Sequence, residues 1–213
     1  MNEDLLRFKK NQKYLVFDYE TCNLNLNKCL NKPWQLGFLV ADYNKIYEKH
    51  ELYIEWENLQ VSKDAQKITG FSKSKYNKLK KPSEYCLELF EKYLYNDDYI
   101  IIGHNILGFD VYIHNIHRLL CNKVSNYSYL NRLYDTNCLS RIIKNEIAIP
   151  KDLDLISFQY KLLNLRTKGV RTTLKEMCKY FKIDFDESKL HDALYDVEKT
   201  YEVFKNILWQ IEI

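Results

Sequence analysis

Tyr14-Leu15-Val16-Phe17-Asp18-Tyr19-Glu20-Thr21 is a run of four apolar residues that closes on two acids. Such a run reads as a strand buried on both faces. Side chains alternate along a strand, so Asp18 and Glu20 emerge together on one face at its end. Like charges in that position are unfavourable unless a cation lies between them. Taken alone, the stretch is better read as a strand that simply reaches solvent through polar residues.

Working outward, residues 22–33 form an Asn-rich loop. Trp34 to Ala41 and Ile46 to Trp56 then read as two strands joined by a turn at Asp42-Tyr43-Asn44-Lys45. Three strands in close succession predict an antiparallel meander. Ser62 can cap a short helix towards Gly70, and Pro82 opens an amphipathic helix through Cys86, Leu87, Phe90 and Leu94. Tyr99-Ile100-Ile101-Ile102 is a further buried strand, followed by a helix from Phe109 to Cys121. Leu130 to Tyr134 reads as the fifth strand, and Asp135-Thr136 starts a helix through Ile143. Thr172 or Thr173 with Glu176 forms a capping box for a helix to Phe181, and a last helix spans about His191 to Trp209. A meander followed by strand–helix units is a mixed α/β sheet flanked by helices. No linker or repeat divides it, which predicts a single domain over residues 1–213 with its core at about 13–208 and an insertion at 144–171.

The 213 residues are 46% hydrophobic and carry a net charge of +3, so any attraction to phosphate must be local. The abundant Lys, Asn, Tyr and Ile read as the drift of an AT-rich genome. Six cysteines lack any C-x-x-C spacing, which argues against a zinc ribbon or a disulfide framework. Reduced thiols and the lack of a signal pattern predict a cytoplasmic, intracellular and reducing setting. No run approaches the length of a membrane span, so no membrane partner is expected.

Two further pieces carry chemistry. Asp110 falls in the first turn of the helix that follows strand 99–102, near the strand ends that line the usual crevice of a parallel sheet. An Asp there also complements the helix dipole for purely structural reasons. His191 and Asp196 are too far apart to share one helical stripe, yet meet if His191 sits at the frayed helix start. A His at that position could act as a general base; a helix-capping pair, with Asp192 as the cap, is the plainer alternative. His104 reads as a neighbour of the site rather than a member. His114 and His117, at i and i+3 without a third ligand, read as a surface pair. The aromatic residues, 15% of the chain, could stack on single-stranded bases, although most should be core.

Together, Asp18-Tyr19-Glu20-Thr21, Asn105-x-x-x-Phe109-Asp110 and His191-x-x-x-x-Asp196 resemble the DEDDh group of 3′–5′ exonucleases, relatives of the DNA polymerase III proofreading subunit, ribonuclease T and oligoribonuclease. Ile68-Thr69-Gly70, Tyr134-Asp135-Thr136 and Thr173-Leu174 agree as secondary signatures. The resemblance implies a ribonuclease H-like fold with a five-stranded mixed sheet. It implies two Mg²⁺ or Mn²⁺ ions, roughly 3.5–4 Å apart, held by Asp18, Glu20, Asp110 and Asp196. His191 would be the general base, and Thr21 and Asn105 would place the terminal nucleotide. The reaction would release nucleoside 5′-monophosphates from the 3′ end of single-stranded DNA or frayed ends, or of RNA, beside a polymerase or replication partner. The tyrosine-type sister group needs Tyr four residues before the last acid; that position is Asp192, which fits the histidine type. The three residues between Asn105 and Phe109, where this group more often has two, resemble the proofreading domains of family B polymerases.

Two alternatives stand beside this reading: a 3′–5′ exoribonuclease, and a non-catalytic nucleic-acid-binding module that docks on a polymerase. For the segment 144–171, with Lys144, Lys151, Lys161, Arg166, Lys168 and Arg171, substrate contact and a solvated loop are both open.

Overall fold

The computed structural model describes residues 11–24, 31–150 and 154–211. The opening apolar run is strand β1 (Lys13–Thr21), which pairs antiparallel with β2 (Pro33–Ala41), itself antiparallel to β3 (Ile46–Glu55). The Asp42 carboxylate ties the β2–β3 turn by accepting from the Asn44 and Lys45 backbone N–H groups at 2.7 and 2.9 Å. Helices α1 (Lys63–Thr69) and α2 (Lys73–Leu79) follow, then strand β4 (Lys80–Pro82) and helix α3 (Ser83–Leu94). Ser62 caps α1 by accepting from the Ala65 N–H, and Gly70 ends it at φ 62°. Strand β5 (Tyr99–Gly103) lies parallel to β1, and β6 (Leu133–Asp135) parallel to β5, with helix α4 (Asp110–Leu120) between them. Helices α5 (Thr136–Asn145), α6 (Leu155–Leu163), α7 (Leu174–Tyr180) and α8 (Ala193–Leu208) complete the chain.

The sheet order is β4-β3-β2-β1-β5-β6, six strands where five are expected from the sequence. All five expected strands are present, although the fifth is Leu133–Asp135, because Ser128–Arg132 before it forms a 3₁₀ helix. The sixth, β4, is the lysine-rich Lys80-Lys81-Pro82, which pairs parallel to Tyr53–Glu55 at the sheet edge. It carries no apolar alternation, and its proline is tolerated because the strand is at an edge.

The alternation of β1 divides the interior. Tyr14 and Val16 pack with Ile100, Ile102, Leu39, Met177, Val197 and Phe204 beneath α5, α7 and α8. Leu15, Phe17 and Tyr19 pack on the other face with Phe38, Ile101, Phe90 and Val111 beneath α3 and α4. Both faces of β1 are therefore covered, which accounts for its unbroken apolar run. By the same alternation, Asp18 and Glu20 fall on the face covered by α8. The close seating of α8 depends on Gly37, the β2 partner of Asp18. A Cβ at Gly37 would lie 2.4 Å from the Ala193 carbonyl carbon and 2.5 Å from the Leu194 nitrogen.

The segment 144–171 differs from a structureless loop. Its α6 buries Leu155 and Leu162 in one core and packs Ile156 and Tyr160 against the other. His114 and His117 are not a surface pair either, since both are fully buried on the face of α4 that packs towards α3 and β1. His117 Nε2 lies 3.0 Å from the Ser83 carbonyl, and its Nδ1 lies 3.3 Å from the Tyr19 hydroxyl. Burial pushes the His117 pKa down to about 4. The five described cysteines are buried. No helix among the described residues is long and apolar enough to cross a membrane.

Candidate active site

Strand β1, the β5–α4 connection and the start of α8 meet at one end of the sheet around a cleft of ≈ 620 Å³. Asp18, Glu20, Thr21, Asn105, Asp110, His191 and Asp196 all line it. The seven residues singled out in the sequence thus come together from three separate stretches of chain.

Each acid is set by a local device. Asp18 and Glu20 project from the end of β1 on the α8 side. Asp110 opens α4, and its Oδ1 accepts the Tyr19 backbone N–H at 2.9 Å, which ties the second motif to the first. Asp196 sits in the first turn of α8, where its Oδ2 accepts the His191 N–H at 3.1 Å. That bond requires His191 to turn back at φ 69°, just before the helix. Asp192 is indeed the N-cap, accepting from the Tyr195 N–H, so capping and the His191–Asp196 contact coexist.

The electrostatics are those of buried carboxylates that repel one another. Burial, then Asp110, Glu20 and Asp196, raises the Asp18 pKa well above the usual carboxylate range. Burial, then Asp196, Asp110 and Asp192, raises Glu20 well above that range as well. Asp110 is pushed up to about 8 by burial, against the lowering effect of the Tyr19 N–H. Asp196 rises to about 7 through burial and the nearby Asp192. Glu20, His191 and Asp196 offer ligand atoms that all lie within 4.8 Å of one another. Asp196 Oδ1 is buried with no hydrogen-bond partner among the described residues. A divalent cation fits that donor set, because hard oxygen ligands are what Mg²⁺ and Mn²⁺ take. The His191 ring is exposed at the rim, and partial desolvation holds its pKa below the usual histidine value, so it is neutral at pH 7.

The three residues between Asn105 and Phe109 form one 3₁₀ turn, Ile106–Gly108, entered from Asn105 at φ 61°. Buried Asp135 holds this turn by accepting from the Asn105 and Leu107 N–H groups at 2.9 and 3.1 Å, while also capping α5. The Asn105 side chain accepts from Asn137 Nδ2 at 3.4 Å, and the Thr21 hydroxyl donates to the Asn23 carbonyl at 2.6 Å. His104 lines the cleft beside them, its Nδ1 2.9 Å from Thr136 Oγ1.

Several contributors escape the sequence reading. Tyr19 occupies the variable place of the first motif, yet its N–H positions Asp110. Gly37 could have been noticed as a lone glycine inside an apolar strand, a sign of close backbone approach. Asp135 reads as a helix start and as part of the Tyr134-Asp135-Thr136 signature, with no sign that it holds the Asn105–Leu107 turn. Leu24 and Ile68, 47% and 42% exposed, add apolar wall to the cleft without any motif signal beyond Ile68-Thr69-Gly70.

A family model described as Exonuclease (RNase_T) matches residues 15–204. The chain belongs to this exonuclease family, a family of nuclease hydrolases, and its fold is the mixed α/β, ribonuclease H-like fold. It is 26% identical over 196 residues to the PolC-type DNA polymerase III of Ureaplasma parvum serovar 3, covering 92% of this chain and 11% of the polymerase. Among solved structures it is similar to E. coli exonuclease I in complex with a dA16 oligonucleotide, with TM-score 0.71, 18% identity, and coverage of 93% of this chain and 41% of that one. It also resembles cell-death related nuclease 4, with TM-score 0.66, 15% identity, and coverage of 93% and 64%. The chain therefore spans about a tenth of the polymerase and under half of exonuclease I.

Proposed function

We propose that the chain is a DEDDh-type 3′–5′ exonuclease that hydrolyses single-stranded DNA from its 3′ end and releases nucleoside 5′-monophosphates. The observation that carries this reading is the convergence of Asp18, Glu20, Asp110 and Asp196 in one cleft, with Asp196 Oδ1 left without a partner among the described residues. These four carboxylates would hold two divalent ions, Mg²⁺ or Mn²⁺. Bound there, the ions would supply Lewis acidity for an in-line displacement at phosphorus and offset the burial and mutual repulsion that raise the pKa values of the acids.

The chain's own groups divide the remaining work. His191, neutral and at the rim, accepts the proton of the attacking water on its ring nitrogen. Its backbone N–H, bonded to Asp196, fixes the loop that carries the ring. Asn105 and Thr21 orient the terminal nucleotide, and Leu24, Ile68 and Phe109 offer apolar faces to its base. The oligonucleotide bound to exonuclease I and the polymerase context of the PolC-type relative favour DNA as the substrate and a replication setting.

The test is a labelled ladder. Single-stranded DNA and RNA with a 5′ label are incubated in Mg²⁺, Mn²⁺ or EDTA, with Asp18→Ala in parallel. The expected result is metal-dependent shortening from the 3′ end of DNA, reduced at least a thousandfold or so in the variant. Shortening of RNA alone would transfer the reading to an exoribonuclease. An Asp18→Ala protein as active as the parent would end it.

A further inference from the structure

Residues 63–81 contain seven lysines against one acid, Asp64, in a chain whose net charge is only +3. They form the two short helices α1 and α2 and the edge strand β4. Three of the lysines have local partners: Lys75 meets Glu51 at 3.3 Å, Lys80 meets Glu55 at 2.6 Å, and Lys81 lies over the Tyr85 ring. The other four, Lys63, Lys67, Lys73 and Lys78, are exposed and make no ion pair or hydrogen bond among the described residues. Lys63 and Lys67 stand at i, i+4 on one face of α1, a like-charge spacing that weakens a helix. A seven-residue helix has little stability of its own to set against that repulsion.

The location gives the charge its meaning. The helices follow β3 at the end of the sheet where the acids lie, since Gln35 pairs with both Glu20 and Tyr53. Ile68 of α1 is part of the cleft wall. Lys75 of α2 is joined to the cap of α8 through two side chains: Glu51 Oε1 accepts from Lys75 and from Gln35 Nε2, and Gln35 Nε2 lies 3.3 Å from Asp192 Oδ2. A positive face thus begins at the lip of a negative cleft. The acids, once neutralised, hold one phosphodiester; the lysines offer nothing to that bond and suit phosphates further along the polymer. A mononucleotide could engage one or two of them, whereas a strand with phosphates at regular intervals engages both helices.

We propose that Lys63 and Lys67 of α1 and Lys73 and Lys78 of α2 are the track for the single strand on the 5′ side of the nucleotide held in the cleft, each offering its charge to a phosphate of that strand. This inference rests on the exonuclease reading, and the experiment separates the two. The Lys63→Gln, Lys67→Gln, Lys73→Gln, Lys78→Gln variant is compared with the parent for binding of fluorescein-labelled dT15, by anisotropy over a salt series. Both are then compared for Mg²⁺-dependent cleavage of dT15 and of the dinucleotide dTpdT, with the thermal midpoint as a check on folding.

The expected result is a dT15 affinity about tenfold or more lower, with a salt slope shallower by about 2–3, since each single-strand phosphate contact contributes roughly 0.7. Turnover of dTpdT and the midpoint should stay unchanged. Equal dT15 affinity and salt slope would overturn the track and leave the lysines to an acidic protein surface. An equal loss on dTpdT would overturn it too, by assigning the lysines to the scissile bond. If the parent binds dT15 but cleaves neither substrate, the exonuclease reading falls, and the anisotropy comparison alone decides the track.

Discussion

The chain has two basic regions, and the fold uses them differently. In 144–171 two cations close the polypeptide on itself, while Lys161, Lys168 and Arg171 stay exposed: Lys144 donates to the Arg171 carbonyl at 2.8 Å, and Arg166 donates to the Leu163 and Leu165 carbonyls at 3.0 and 3.2 Å. Arg141, just before this region, reaches the carbonyls of Leu162 and Leu163 at the end of α6. Lys151 lies outside the described residues. In 63–81 four lysines have nothing of the kind. Positive charge that satisfies helix ends is architecture, while positive charge without an internal partner is available to a ligand. Counting Lys and Arg cannot tell the two apart, because the distinction lies in what each cation touches.

Three substitutions would sharpen or break this contrast, beside the Asp18→Ala and lysine tests above. The largest effect belongs to neither region and sets the scale for both. Gly37→Ala would drive a methyl into the Ala193 backbone and displace the start of α8, carrying His191 and Asp196 away from Asp18. A shift near 1 Å in a reacting group costs about a hundredfold in kcat/KM, which an oligonucleotide assay would register. If activity survives, the close seating of α8 is not what aligns the acids.

Next is Gln159→Leu, which probes the architectural region. Gln159 Oε1 accepts the Asp135 N–H at 2.7 Å, and its Nε2 donates to the Leu133 carbonyl at 2.9 Å. Leaving two buried backbone groups unpaired should cost about 3 kcal/mol and lower the thermal midpoint by roughly 6–12 °C. A scanning calorimeter reads this directly. An unchanged midpoint would mean that α6 merely rests on the fold. The smallest effect is expected from Lys161→Gln with Lys168→Gln, exposed lysines of the same segment, which should weaken dT15 binding by no more than about threefold. A tenfold loss would restore 144–171 as a substrate surface and erase the contrast.

What was legible in the sequence follows from what has a period. The β1 run places Asp18 and Glu20 on one face because strand side chains alternate, and amphipathic spacing locates α3, α4 and α8. Asp110 and Asp196 are legible only through motif order, since each is also an ordinary first-turn acid. His114 and His117 misled because i, i+3 spacing gives a face but not what covers it; α3 and β1 cover this one. Strand β4 has no signal, as three edge residues need none. The lysines of 63–81 were absorbed into a compositional drift, and only three-dimensional placement beside Ile68 and the Gln35–Asp192 contact separates them from it. Gln159 could not be read at all, because its partners lie 24 and 26 residues away.

That glutamine has a consequence of a different kind. Its amide meets Asp135 N–H and Leu133 C=O on β6 as the peptide group of a neighbouring strand would, so the sheet ends there against a side chain in place of a backbone. The opposite margin ends on Lys80-Lys81-Pro82, two charges and a residue that cannot donate. Exposed strand margins are templates on which foreign chains zip up and aggregate. At these two places the sheet border is closed to recruitment, by mimicry beside Leu133 and Asp135 and by charge and proline beside Tyr53–Glu55, so an extended protein segment finds no register to join there.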